Sequence, residues 1–170
     1  MFYSDLTDYS YSNTEEVGLT NIGWLSCGHK FERGYVAPSL IEKLYRIAER
    51  YPVQITRGAH QCDLCDILLN EEPLRIKDRA HSCERFLGSA EIRVPGKKGV
   101  YACPDLICHY VSHHHYRPPD EFLEALARYD YHEAPYVVSA PIMNSVLGEI
   151  ERRNRRKAWG RAFKALFRLP

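Results

Sequence analysis

Two cysteines and three histidines stand at spacings that metal chemistry uses. In "HQCDLC", Cys62 and Cys65 form a C-x2-C knuckle, in which two thiolates converge on one ion while nearby backbone amides offset their charge. Zinc takes four ligands, and two histidines three to five residues apart near a helix C-terminus are the usual complement. The run "ICHYVSHHHYRPP" supplies them as His109 with either His113 or His114.

Helical geometry leaves both pairs open. At about 100° per residue, His109 and His113 lie about 40° apart on one face, whereas His109 and His114 are about 140° apart unless the last turn loosens. Pro118 and Pro119 press the chain out of helix, and H-x4-H is an accepted zinc spacing. The apolar stripe of Ile107, Tyr110 and Val111 also carries His114 toward a core, where a closed site belongs, and leaves His113 with Ser112 on the other side. His60 and His115 are candidates for supporting groups or a swapped ligand, and Cys103 or Cys108 could replace a histidine. Cys27 with His29, and His81 with Cys83, have a C-x-H form without partners nearby in sequence. A site of two cysteines and two histidines is full, so it predicts a structural zinc ion and not a hydrolytic one.

These ligands need a framework. A chain of 170 residues with 45% hydrophobic and 26% charged residues suits one soluble domain with appendages. No stretch approaches the roughly 20 apolar residues of a membrane span, and "MFYSDLTDYSYSNTEE" has acid where a secretory signal has base. The expected location is the cytoplasm, where metal ligands or plain buried thiols are favoured over disulfides.

The elements are predicted as follows. "NIGWLSCGHKF" reads as a short strand and turn burying Trp24. "APSLIEKLYRIAERYP" reads as a helix whose apolar positions Leu40, Ile41, Leu44, Ile47 and Ala48 recur at three and four residues, with Pro38 at its first position or on the approach to a cap at Ser39, and Pro52 ending it. Residues 70 to 85 read as a charged loop. "GSAEIRVPGKKGVYACP" reads as a β-hairpin at about residues 89 to 103. A helix then opens after Pro104 and Asp105 and is closed by the prolines at 118 and 119. Another is announced by "PPDEFLEALARY", with Pro119 at its first position. The fold class expected is α+β, a small zinc-pinned domain with its hairpin packed on three or four helices. Residues 1 to 20 form a polar, tyrosine-rich arm, 21 to 135 the zinc-binding domain, and 136 to 170 a helical, basic, amphipathic extension.

The stretches "DLTDYSY", "NIGWLSCGHKF", "HQCDLC", "LGSAEIRV" and "YACPDLICHYVSHHHYRPPDEFLEAL" resemble those of a family of small, uncharacterised bacterial proteins. Its pattern has a "DLTPYSY"-like arm, "GWLD…H.F", a His-x-Cys-x-x-Cys knuckle, "GSAEIRV" and "Y..P.LI.HYV..H.Y.PP.EF". The resemblance spans residues 5 to about 126 and implies a domain but assigns it no particular function. The second histidine of the pattern falls at His114, five residues after His109 and two before Tyr116, so the resemblance favours His109 with His114. Ser26 and Cys27 stand where the family has an acid after "GWL", and the basic tail after about residue 148 lies outside the pattern.

The net charge of +1 conceals an asymmetry: residues 151 to 170 carry eight Lys or Arg against one Glu, so the other 150 residues are net acidic. On helical spacing, Trp159, Ala162, Phe163, Leu166 and Phe167 share one face, as in segments that meet an anionic surface, nucleic acid or an acidic groove. Arg152, Arg153, Arg155, Arg156, Lys157 and Arg161 would make the nucleic-acid contact. There is no phosphate loop, nucleophile elbow or dinucleotide fingerprint, and His60, Glu91 and Asp105 are the tempting bases for metal-assisted hydrolysis. The reading expected is a non-catalytic, zinc-stabilised binding or adaptor protein with Cys62, Cys65, His109 and His114 as ligands. The alternatives are an inhibitor or immunity-type interaction module, to which the tyrosines would lend a surface, and a zinc-dependent hydrolase or nuclease.

Overall fold

The computed structural model describes residues 1–11, 18–65, 74–79, 82–132 and 136. Along the chain run β1 (Leu19–Asn21), α1 (Pro38–Arg50), β2 (Arg75–Asp78), β3 (Cys83–Phe86), β4 (Glu91–Pro95), β5 (Val100–Pro104), α2 (Ile107–His113) and α3 (Asp120–Arg128). The class is α+β, as expected. The predicted C-terminal helix falls outside the described residues.

β4 and β5 are the predicted hairpin, antiparallel from Glu91 opposite Pro104 to Pro95 opposite Val100. β1 joins the outer side of β5 in parallel, Leu19 opposite Val100 through Asn21 opposite Ala102. Side chains alternate across such a sheet. Ile92 and Val94 enter the main core with Leu44, Ile47, Phe122 and Leu126, which places Glu91 and Arg93 on the opposite face.

The N-terminal arm covers that second face. Asp5 accepts hydrogen bonds from the Gly23 N–H and the Tyr116 hydroxyl, both at 2.8 Å. The Tyr9 hydroxyl donates to the Glu91 carboxylate at 2.8 Å, and the Arg93 guanidinium, paired with Glu91 at 2.6 Å, lies over the Tyr9 ring. Tyr3, Tyr9 and Tyr11 all pack against Trp24, whose indole N–H is satisfied by the Ala102 carbonyl. The tyrosines of the arm therefore build a second, aromatic layer around a buried ion pair.

Three predicted boundaries shift. Residues 70 to 85, expected as a charged loop, contain the antiparallel β2–β3 hairpin; its strands are polar because, among the side chains described in it, only Ile76 and Arg85 are buried, leaving no apolar alternation to read. Pro119 stands at the N-cap of α3 and not at its first helical position. α2 ends at His113, well before the prolines. α1 begins at Pro38 as predicted, with Leu44, Ile47 and Ala48 buried.

One buried ion pair locks these pieces together. Arg85 from β3 binds the Asp105 carboxylate just before α2 and also donates to the Ala48 carbonyl at 2.8 Å, while Asp105 accepts from the Gly88 N–H at 2.6 Å. Burial pushes the Asp105 carboxyl up to about 6, and Arg85 and the backbone N–H groups oppose the shift.

Candidate metal centre

α2 delivers His109 from its buried side, and its C-terminal turn delivers His114. The His114 N–H still bonds the Tyr110 carbonyl at 3.1 Å, but the chain then reverses through His115, which adopts a left-handed φ of 55°, so that the Tyr116 N–H also reaches Tyr110. The last turn does loosen as the H-x4-H spacing requires, and the residue that turns it is His115 and not a proline. Left-handed backbone is costly for a side chain other than glycine, so tertiary contacts hold it: the Gly34 N–H donates to the His115 carbonyl at 3.0 Å.

The knuckle reaches this turn from the other side. Cys62 Sγ lies 3.3 Å from His114 Nε2, Cys65 Sγ lies 3.1 Å from His109 Nε2 and 3.3 Å from His114 Nε2, and the two Nε2 atoms are 3.1 Å apart. All four ligand atoms fall within 4.8 Å of one another, and the cluster could hold a metal ion. A tetrahedral zinc at its usual bond lengths would set such atoms about 3.3 to 3.8 Å apart, so the donor set fits with small adjustments.

Neighbouring groups fix the ligands. Asp63, between the two cysteines, accepts a 2.6 Å hydrogen bond from the Ser26 hydroxyl and another from the Cys27 N–H, tying the "SCGH" turn to the knuckle. The Tyr110 hydroxyl donates to the Leu25 carbonyl and its pKa is raised by burial, then by the nearby Cys62, Asp63 and Cys65. The buried His109 Nδ1 has no hydrogen-bond partner among the described residues; the His113 ring stacks on His109 at 4.5 Å.

Electrostatics favour the neutral forms of Cys62, His109 and His114. Burial pushes the Cys62 thiol up to about 11. Burial holds His109 down to about 4, with His113 and His114 acting in the same direction, and His114 is lowered for the same reason, then by His113, Arg33 and His115. Neutral imidazoles are the coordinating form, and a divalent ion supplies the charge that makes a buried thiolate tolerable.

The other sequence candidates lie apart from this cluster. His113 is exposed, with Nδ1 at 2.7 Å from the Ser112 hydroxyl. His115 is exposed, and His60 is not among the clustered ligands. Cys103 and Cys108 are fully buried core thiols, Cys27 and Cys83 are exposed, and all six cysteines are free. His81 lies outside the described residues. Of the tempting bases, Glu91 is engaged by Tyr9 and Arg93, and Asp105 by Arg85 and Gly88. Sequence reading assigned no role to Asp63 and placed Tyr110 only in the apolar stripe. An acid inside the C-x2-C and a tyrosine next to a ligand histidine were the available signals.

A domain of unknown function, DUF7919, matches the chain over residues 1–127. The chain belongs to this family. The matched DUF7919 region holds the arm, the sheet, both halves of the cluster and most of α3, and the basic C-terminal stretch follows it. No curated protein and no solved structure matches the chain. No helix among the described residues is long and apolar enough to cross a membrane.

Proposed function

We propose that this DUF7919 chain is a non-catalytic binding protein, stabilised by one structural zinc ion held by Cys62, Cys65, His109 and His114, whose basic C-terminal stretch engages an anionic partner. The observation that carries the metal reading is the convergence of two sulfur and two imidazole nitrogen atoms within 4.8 Å. Four protein ligands complete a tetrahedral shell, which is the arrangement of structural sites, whereas catalytic zinc keeps a position for water. The engagement of Glu91 and Asp105 in buried ion pairs supports the non-catalytic reading.

When bound, zinc would supply a cross-link between the knuckle and the end of α2. The chain's own residues do the rest: Asp63 and Ser26 hold the knuckle, and His115 turns His114 inward. Elemental analysis of the full-length protein is expected to give one zinc per chain, and chelation to lower its melting temperature by well over 10 °C. Protein that contains no zinc and keeps its melting temperature in chelator would refute the proposal. In the same preparations, co-purification of one stoichiometric acidic protein, or salt-sensitive retention of nucleic acid, would identify the partner class.

A further inference from the structure

The N-terminal arm at residues 2 to 5 and the segment from His29 to Arg33 line an open cleft of about 540 Å³. We propose that it binds a small zwitterion with an apolar side chain, an α-amino acid or a dipeptide, whose ammonium meets Asp5 and whose carboxylate meets Arg33. This goes beyond the zinc and the basic C-terminal stretch and depends on neither.

Charge sets the ligand class. Asp5 and Glu32 against Lys30 and Arg33 give the lining two anions and two cations, and none of the four forms an ion pair among the described residues. Opposite charges that share a cleft without bonding one another leave both poles open. A simple anion or cation would meet like charges as well as opposite ones, whereas a ligand that carries both signs can satisfy each pole. The volume lies within the range of small-molecule sites.

One buried residue places both main poles. Tyr116 is fully buried, and its hydroxyl donates to one Asp5 oxygen at 2.8 Å while the Gly23 N–H holds the other at 2.8 Å. Each oxygen of a carboxylate accepts about two hydrogen bonds, so Asp5 keeps capacity for an ammonium. Burial raises the Asp5 carboxyl above its ordinary value, a cost that a cation drawn against it offsets. On its other side, the Tyr116 ring meets Phe31 edge-on at 6.1 Å, and the Arg33 guanidinium lies over Phe31 at 5.0 Å. The main chains of Arg33 and Tyr116 are bridged as well. Groups held in place before a ligand arrives lose less freedom when it binds.

The same walls provide for an apolar side chain. The Phe2 and His29 rings stack at 3.9 Å, 13° from parallel, and tie the arm to the facing segment. With Phe31 they line the cleft, and flat rings of this kind gain from packing on a ligand's aromatic or aliphatic group.

The test is calorimetric titration of the full-length chain with L-phenylalanine and with the dipeptide L-phenylalanyl-L-leucine. Phenethylamine and 3-phenylpropionate, each lacking one pole, and glycine, which lacks the side chain, are the controls. The expected result is saturable binding of at least one of the two zwitterions, the stronger of them telling amino acid from dipeptide, and at least tenfold weaker binding of every control. Arg33 is exposed, so Arg33→Gln is expected to keep the melting temperature while lowering affinity at least tenfold. Asp5→Asn, which keeps an oxygen for the Gly23 N–H, should no longer prefer phenylalanine over 3-phenylpropionate. Absence of saturable binding by both zwitterions, a control that binds as tightly as they do, or undiminished affinity in Arg33→Gln would each overturn the proposal.

Discussion

At Cys62, the burial that discourages a bare thiolate would make the proposed zinc uptake a proton-releasing event. The thiol is held up at about 11, so at neutral pH coordination must expel its proton. His109 is held down to about 4, is already neutral, and expels none. Apparent zinc affinity is therefore expected to rise at least tenfold for each pH unit between about pH 6 and pH 8. Competition titrations with a chromophoric chelator would show the slope, and a flat profile would remove Cys62 from the ligand set. The two rival histidines separate by the same assay. His114→Ala should abolish stoichiometric zinc, whereas His113→Ala, which removes an exposed ring stacked on His109, should retain it. The reverse outcome would reassign the fourth ligand.

The turn at the end of α2 brings His114 into the Cys/His cluster, so strain there should weaken the proposed metal binding. His115 takes a φ of 55°. Replacement by Val, which is branched at Cβ and tolerates this backbone poorly, is expected to cost about 1–2 kcal/mol and weaken zinc binding, whereas Gly should be neutral or slightly stabilising. Denaturant melts of both variants would check the order, and equal stability would show that the left-handed turn is not held by the fold. This turn also shows where sequence reading stops. The knuckle, α1 and the β4–β5 hairpin were legible because each rests on local spacing or periodicity, whereas spacing alone left His113 and His114 open and the apolar stripe and the resemblance favoured His114. The parallel pairing of β1 with β5 joins residues about 80 positions apart and leaves no local signal. The β2–β3 hairpin was hidden because its buried cross-strand residues are Ile76 and Arg85, and an arginine reads as a surface residue until its partner Asp105 is known. Removing that partner tests the point: Asp105→Ala would strand a buried guanidinium and is expected to cost about 3–5 kcal/mol. A loss under about 1 kcal/mol would mean that Arg85 reaches water without Asp105.

Over the whole molecule, charge is divided along the chain and not balanced locally. The last 20 residues carry eight cations and one anion while the total is only +1, so the proposed partner of this stretch would be anionic. Binding of duplex DNA by such a stretch would be steeply salt-dependent, because each phosphate contact releases a counterion, with a slope of about 0.9 per contact. Full-length protein is expected to retain random duplex DNA at about 50 mM salt and to lose most of it by about 200 mM. Joint replacement of Arg152, Arg153, Arg155 and Arg156 by Gln should flatten the slope by roughly three to four, if all four reach phosphates. These residues lie beyond the matched domain, which ends at residue 127, so melting temperature and zinc content should stay unchanged in the same variant. An unchanged salt slope would place the DNA contact elsewhere. A full-length chain that ignores DNA at low salt, yet captures one acidic protein in a salt-sensitive complex, would give the basic stretch a protein partner instead.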